Sequence, residues 1–250
     1  MTSCGDVFSF LCELAPTELQ MDFDNAGFLI GRKSAEVTEI LVALDVTDAV
    51  VEEAIESGAQ LIVSHHPVIF RAIKSITDEK LLKLIENRIA VISMHTNLDI
   101  AEGGVNDVLL ALLGAEREDT LDEAKCGRVG VLPMALSMAD FLKLCRDRLH
   151  TNGLRYYDAS RPVRRIAVLG GAGADELLAA ASKGCDTYVT SDIGYHEFLL
   201  AAELGINLID GDHFGTEDPV IPVLREKLAK HFPELSVKVS ETHKALISFY

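Results

Sequence analysis

Short runs of apolar residues alternate along most of this chain with longer segments whose apolar residues recur at helical spacing. Apolar runs of this length between polar turns are typical of strands buried in a parallel sheet. The amphipathic segments between them predict helices that cover the faces of such a sheet. The predicted strands lie at residues 39–44, 60–63, 90–94, 127–132, 154–157, 165–169, 187–190, 206–209 and 236–239.

Capping residues indicate where several of the helices begin and end. Thr47 and Ser137 stand where an N-cap is expected, and Gly58 and Gly205 directly follow segments of helical pattern. A loop is predicted at 22–27. The predicted helices cover residues 5–20, 47–57, 77–87, 103–113, 138–149, 174–182, 195–204 and 219–231. Strands and helices that alternate in this way predict an α/β fold.

The two ends of the chain repeat one pattern. Each contains a predicted β-α-β-α-β unit, and Ser64-His65 in the first corresponds to Ser191-Asp192 in the second. This predicts a duplicated fold whose halves face each other across one site. The predicted organisation is a first α/β half at residues 1–118, a connecting strand-helix-strand segment at 119–162 and a second α/β half at 163–250.

Three clusters of metal-binding residue types directly follow predicted strands. They are Ser64-His65-His66-Pro67, His95-Thr96-Asn97-Leu98-Asp99 and His213-Phe214-Gly215-Thr216-Glu217. Ligands of open α/β sheets bind beyond the carboxyl ends of the strands. Imidazole and carboxylate groups are common ligands of divalent metal ions. The sequence therefore predicts a metal site at these strand ends.

The number of candidate ligands favours two ions. A tetrahedral site that keeps one open position has room for three protein ligands, whereas two ions can share a bridging carboxylate or water. On a regular strand adjacent histidines would point to opposite faces, so His65 and His66 either converge where the strand bends or bind different ions. The candidate ligands are His65, His66, Asp99, His213 and Glu217.

Two further histidines are candidates for the catalytic group. His95 and His196 could act as a general base or orient a water molecule, with Asp45 and Asp192 as supporting carboxylates. The glycine-rich stretch at 169–175 has part of a dinucleotide-binding fingerprint, but Glu176 replaces the third glycine. We expect a tight glycine turn near the metal site there instead. The loop at 24–27 is interpreted as an Asx-type turn or as a lining of the cleft.

Composition and charge narrow the class of protein. The chain has 250 residues, 48% of them hydrophobic, and a formal net charge of −16. A phosphate backbone would be repelled by this charge, so nucleic acid is not an expected partner. The five cysteines are scattered without a CxxC pair, which predicts reduced thiols. No signal peptide and no apolar run of membrane-spanning length are evident, and we expect a cytoplasmic protein.

These motifs resemble a known family. Ser-His-His-Pro, His-Thr-Asn-Leu-Asp, Gly-Gly-Val-Asn-Asp, the Gly-Gly-Ala-Gly stretch and Asp-His-Phe-Gly-Thr-Glu occur in order between Asp22 and Glu217. The combination is similar to that of the Nif-three-like dinuclear-metal proteins, in their short bacterial form. Some members are named type 2 homologues of GTP cyclohydrolase I. Relatives often have Gly-His where this chain has Asp212-His213, which adds a carboxylate.

The resemblance implies a dinuclear site at the five ligands named above, with Asp99 or Glu217 shared between the ions. It also implies a toroidal homohexamer whose sites face an internal cavity. A GTP cyclohydrolase would use metal-activated water to open the imidazole ring of guanine. Arg71 and Lys74 follow His-His-Pro and could contact phosphate.

Two classes of function follow. The first is a metal-dependent hydrolase that acts on a small molecule, such as a nucleotide or a related heterocycle or ester. The second is a non-enzymatic metal-binding protein for metal insertion, storage or regulation. Zinc, iron, manganese and nickel all suit such ligands. A DNA-binding ring is disfavoured by the net charge of −16.

Overall fold

The computed structural model describes residues 1–248, which form two units. The first unit consists of Met1–Glu102 and Ile221–Lys244, and the second of Gly103–Val220 with residues 245–248. Each unit contains one sheet. No helix among the described residues is long and apolar enough to cross a membrane.

Most of the strands lie where the apolar runs of the sequence predicted them. They are β1 (Gly27–Ile30), β2 (Glu39–Ala43), β3 (Leu61–Ser64), β4 (Ala90–Ser93), β5 (Glu116–Thr120), β6 (Arg128–Leu136), β7 (Arg155–Tyr157), β8 (Val163–Ala172), β9 (Thr187–Ser191), β10 (Asn207–Asp210) and β11 (Ser236–Val239).

The helices fall between these strands. They are α1 (Cys4–Leu14), α2 (Asp48–Ser57), α3 (Glu79–Glu86), α4 (Thr96–Ile100), α5 (Val105–Leu112), α6 (Met138–Leu149), α7 (Leu177–Ser182), α8 (Tyr195–Leu204), α9 (His213–Glu217) and α10 (Val220–His231). Short 3-10 turns lie at Thr17–Leu19 and Ala174–Glu176.

The sheet of the first unit has the strand order β1-β4-β3-β2-β11. Strands β11, β2, β3 and β4 are parallel, and β1 pairs antiparallel with β4. Leu41, Ile62 and Val91 of the central strands are buried with Val50 of α2 and Leu84 of α3. Burial on this scale explains why the strand sequences are almost purely apolar.

The sheet of the second unit has the strand order β5-β6-β8-β9-β10-β7. Strands β8, β9 and β10 are parallel, whereas β6 and β7 pair antiparallel with β8 and β10. Val168, Val189 and Ile209 of the parallel strands are buried with Leu109 of α5 and Phe141 of α6. Each unit thus contains a β-α-β-α-β core with three parallel strands in chain order, and the predicted duplicated α/β fold is confirmed.

Capping residues set several of the helix boundaries, as predicted. The side chain of Thr47 accepts a hydrogen bond from the backbone of Val50, and that of Ser137 accepts one from Asp140. Gly58 ends α2 in the left-handed region with φ 74°, a conformation that costs glycine little.

Other elements differ from the prediction. The predicted helix at 5–20 ends at Leu14, because the chain turns at Ala15 and Pro16 precedes a 3-10 turn. The pattern missed β1 and α4, which have only four and five residues, and β5, whose five residues are all polar. Strand β8 continues through Ala172, and the predicted tight glycine turn lies at its end, where the N–H of Gly173 donates to the carbonyl oxygen of Gly171 at 3.0 Å.

The boundaries of the two units differ from those of the three segments predicted at 1–118, 119–162 and 163–250. Strands β5, β6 and β7 join the sheet of β8 rather than forming a separate connecting segment. Strand β11 pairs with β2 of the first unit, register Ser236 with Glu39, although it lies near the end of the chain. Residues 249 and 250 lie outside the described residues.

Candidate metal centre

His65 follows β3 and is completely buried. Its Nδ1 lies 2.8 Å from the backbone carbonyl oxygen of Met94. A carbonyl oxygen only accepts hydrogen bonds, so Nδ1 carries the proton and Nε2 has the lone pair. This is the tautomer that a metal-binding histidine needs, and the carbonyl also fixes the orientation of the ring.

His66 is held in the same way by a carboxylate. Its Nδ1 lies 2.7 Å from Oδ1 of Asp45, which follows β2. Asp45 therefore has the supporting place that the sequence predicted. Pro67 restricts His66 to an extended backbone, which helps to turn the chain away from β3 at this point.

His95 is held by Asp24 of the loop before β1. Nδ1 of His95 lies 2.7 Å from Oδ1 of Asp24, and the backbone N–H of Thr96 donates to Oδ2 at 3.0 Å. Burial alone would raise the pKa of Asp24, but the hydrogen bonds from His95, Thr96 and Asn25 outweigh it and lower the pKa to about 2. Asp24 is therefore a carboxylate at any physiological pH.

The three imidazoles of the first unit converge. One ring nitrogen of each of His65, His66 and His95 lies within 4.8 Å of the other two. Asp99, which is buried on the single turn of α4, lies near them, with its Oδ1 3.7 Å from Nε2 of His65. The predicted ligands His65, His66 and Asp99 are thus brought together, and His95 joins them as a further donor.

The second unit brings its two predicted ligands together on α9. Nε2 of His213 lies 3.1 Å from Oε2 of Glu217, which is buried, in the i,i+4 relation of a helix. Nδ1 of His213 lies 2.9 Å from Oδ2 of Asp192, so this ring is also held by a carboxylate. Burial would lower the pKa of His213, but Glu217 and Asp192 raise it to about 9. A metal ion bound by this pair would replace the proton between them.

Gly171 makes room for Glu217. A Cβ atom on this residue would stand 2.1 Å from Oε1 of Glu217, and the backbone has φ 69°. Its N–H donates to Oγ1 of Thr216, and the N–H of Gly170 donates to Oδ1 of Asn106. The glycine stretch therefore packs against Glu217 at the end of β8, beside the predicted metal-binding residues.

Two aspartates beside His213 have unusual backbone conformations. Asp192 has φ 54° and Asp212 has φ 69°, both in the region that favours glycine. Such strain clusters at functional sites because the surrounding structure holds it there. Asp192 adopts this conformation, and its carboxylate is the hydrogen-bond partner of Nδ1 of His213.

His196, the other predicted catalytic residue, lies elsewhere on its unit's surface. It is exposed on α8, and its ring contacts that of Tyr195 at a centroid distance of 5.7 Å. Among the described residues it belongs to no group of converging metal-donor atoms. Its assignment to catalysis stays a prediction.

Comparison with known proteins identifies the family. The family model Duf34/NIF3 (NGG1p interacting factor 3) matches residues 2–245. The chain belongs to the Duf34/NIF3 family. The resemblance seen in the sequence motifs is thereby confirmed.

Relatives of similar length share the whole of this NIF3 fold. The chain is 36% identical over 236 residues to the GTP cyclohydrolase 1 type 2 homolog of Clostridium perfringens, with 90% of each covered. It superposes on a NIF3-related protein of Bacillus cereus with a TM-score of 0.92 at 24% identity, covering 99% of both chains. Reduced HcgD from Methanocaldococcus jannaschii matches with a TM-score of 0.86 at 29% identity, covering 96% of this chain and 98% of HcgD.

Sequence reasoning missed the role of Asp24. The loop at 24–27 was interpreted only as a turn or a lining, but it supplies the carboxylate that holds His95, 71 residues further along the chain. The available signal was an Asp-Asn pair before a strand, which is common in ordinary turns. The imidazole and carboxylate groups of this NIF3 chain suit a divalent metal ion.

Proposed function

We propose that this protein is a hydrolase that depends on two divalent metal ions and acts on a nucleotide or a related heterocycle or ester. One observation carries the proposal. His65, His66 and His213 each have Nδ1 within 2.9 Å of an oxygen acceptor, which leaves Nε2 as the donor atom of each. Histidines on ordinary surfaces have no reason to share this arrangement, whereas metal ligands almost always show it.

The number of donors supports two ions rather than one. The first unit offers His65, His66 and Asp99, and the second offers His213 and Glu217. Two donors are fewer than the three protein ligands that a catalytic metal ion usually has. We therefore propose that the five residues act together, with a carboxylate shared between the ions. Zinc, iron, manganese and nickel are the candidate metals.

The bound ions would supply a water of lowered pKa and stabilise the negative charge that develops during hydrolysis. Among the chain's own residues, His95 is the best candidate to accept a proton. Its Nδ1 is held by the buried, ionised Asp24, which orients the ring and stabilises the protonated imidazole. Asp45 and Asp192 would keep His66 and His213 in the tautomer that binds metal.

The names of relatives support the choice of a nucleotide as substrate. The protein from Clostridium perfringens is named a GTP cyclohydrolase 1 type 2 homolog. We also propose a homohexamer in the cytoplasm, on the strength of the family resemblance. Sedimentation of the purified protein tests the hexamer, and a monomer would contradict it.

The test combines metal content with turnover. The protein is purified without chelator, metal ions per chain are counted, and GTP and a panel of nucleotides and esters are screened. His65→Ala and His213→Ala probe the two groups of donors. His150→Asn is the control, because His150 is exposed at the end of α6 and has φ 52°, which Asn tolerates.

We expect two ions per chain in the unsubstituted protein and in the control, and loss of metal and turnover in both alanine variants. Full metal content in His213→Ala would show that the second unit contributes no ligand and would overturn the dinuclear proposal. Two ions without turnover on any substrate would instead favour a protein that stores or inserts metal.

A further inference from the structure

Two exposed phenylalanines lie beside His95. The side chains of Phe23 and Phe70 are 66% and 44% exposed, and their ring centroids are 6.5 Å apart. The centroid of Phe70 lies 6.1 Å from that of His95, with the ring planes at 86°. Exposed aromatic rings next to a polar, metal-binding group of residues mark a ligand site more often than an ordinary surface.

The loops that carry these rings are fixed by hydrogen bonds. Phe23 precedes Asp24, which holds His95, so the position of Phe23 is tied to that of the imidazole. The side-chain amide of Asn25 donates to the backbone carbonyl of Ile69, which joins the Phe23 loop to the Phe70 loop. The two rings are therefore placed before any ligand arrives, which lowers the entropy cost of binding.

We propose that Phe23 and Phe70 form an aromatic platform that binds the planar heterocyclic ring of the substrate. The ring planes of Phe23 and Phe70 meet at 59°, and those of Phe70 and His95 at 86°. In neither pair are the two rings stacked face to face. A flat heterocycle can stack on a phenylalanine face, whereas an aliphatic ester gains no such contact. The proposal rests on the proposed function and selects a substrate class for it.

Two cations follow Phe70 along the chain, whereas Phe23 stands between Asp22 and Asp24. Arg71 and Lys74 are exposed on the segment that follows Phe70, in a chain whose net charge is −16. A negative group on the bound ring would therefore meet favourable charge on the Phe70 side of the platform. A nucleotide combines the planar ring with the negative charge.

A fluorescence experiment tests the platform directly. The chain contains no tryptophan, so Phe70→Trp introduces a single reporter in the full, metal-loaded protein. Guanosine 5′-monophosphate is the probe, and ribose 5-phosphate is the same anion without the ring. The control reporter is Met134→Trp, at an exposed position of β6.

We expect saturable quenching of Trp at position 70 by guanosine 5′-monophosphate, and none by ribose 5-phosphate or in the control. Adding Phe23→Ala to the reporter should weaken binding about tenfold, or about 1.4 kcal/mol. Phe23→Leu, which keeps apolar area but removes the π face, should weaken it similarly. Equal responses to the two probes, or full affinity in the Phe23 variants, would overturn the platform.

Two further readouts separate this proposal from others. The metal content of Phe23→Ala should equal that of the unsubstituted protein. Metal counting decides the proposed dinuclear site, whereas quenching decides the platform, so either can fail alone. If Phe23→Ala changes the sedimentation of the protein and leaves nucleotide binding unchanged, the rings cover an interface between copies of this chain and the proposal is wrong.

Discussion

The two units place chemically similar residues at equivalent points of the same topology. In each, the third parallel strand leads into a helix of five residues, α4 after β4 and α9 after β10. His95 and Asp99 are four residues apart in the first unit, and His213 and Glu217 are four apart in the second. In each unit a strand end thus delivers an imidazole and, four residues further on, a carboxylate carried by a short helix.

The ends of the second strands differ. After β3 the first unit has His65 and His66, which are themselves candidate ligands, whereas after β9 the second unit has Asp192, which supports His213. The topology therefore decides where a polar side chain stands, and the residue type decides whether it binds metal or orients a neighbour. The lesson is that duplication of a fold does not require duplication of roles.

The largest effect is expected where a glycine touches the ligand carboxylate. Gly171→Ala places Cβ 2.1 Å from Oε1 of Glu217 and adds strain at φ 69°. We expect a loss of roughly 2–4 kcal/mol of stability, together with reduced metal content. Urea unfolding and metal counting measure the two effects.

Gly58→Ala is the matched control in the first unit. Gly58 has φ 74°, but no atom lies within 4 Å of its built Cβ. This variant should lose only about 1 kcal/mol and keep its metal, because only the left-handed backbone is disfavoured. Similar losses in both variants would show that Glu217 does not depend on the space at Gly171.

The carboxylates that hold the histidines of the two units should differ in how strongly they respond to substitution by asparagine. Asp24 accepts hydrogen bonds on both oxygens, so in Asp24→Asn one accepting oxygen becomes an amide donor that faces a donor. We expect turnover to fall about 100-fold while metal content is unchanged, because Asp24 holds the proposed base His95 rather than one of the five proposed ligands. Asp192 accepts from His213 through one oxygen and its side chain is 52% exposed, so Asp192→Asn can keep this hydrogen bond. Turnover and metal content are measured for both variants, and a larger fall of turnover in Asp192→Asn would reverse the ranking.

Backbone strain is expected to have a smaller effect on stability. It is concentrated in the second unit, beside His213. Asp212 has φ 69° and ψ 137°, a region populated mainly by glycine. Asp212→Gly should raise stability by about 1 kcal/mol, measured by thermal unfolding. Asp212→Ala removes the same carboxylate but keeps the Cβ, so an equal gain there would assign the effect to charge rather than to strain.

The smallest effect concerns the chain end that closes the first unit's sheet. Glu53 of α2 accepts hydrogen bonds from Ser240 and Thr242, just after β11. Burial would raise the pKa of Glu53, but these hydrogen bonds hold it below the usual 4.5. The associated stability is present above pH 4.5 and is lost as the pH falls through the lower pKa of the folded state.

Glu53→Gln should therefore reduce the loss of stability on acidification, measured by urea unfolding above and below pH 4.5. Glu56→Gln on the same helix is the control and should leave the acid profile unchanged. An acid profile of Glu53→Gln identical to that of the unsubstituted protein would show that these hydrogen bonds do not link pH to stability.

The sequence was sufficient for the repeated α/β pattern and for the strand ends at which the candidate ligands lie. Apolar runs, caps such as Thr47 and Ser137, and helix-ending glycines are local signals that act over a few residues. The short edge strand β1 and the single turn α4 were missed, because neither is long enough to show a period. Their existence depends on pairing and packing rather than on propensity.

What the sequence determined by itself was the set of donor residues and the elements that deliver them. Tertiary structure decided what each donor does. Asp24 and His95 are 71 residues apart, and Gly171 and Glu217 belong to different elements, so no local pattern relates them. The tautomer of a histidine is set by the acceptor that its other nitrogen meets, and that acceptor is chosen by the fold rather than by chain neighbours.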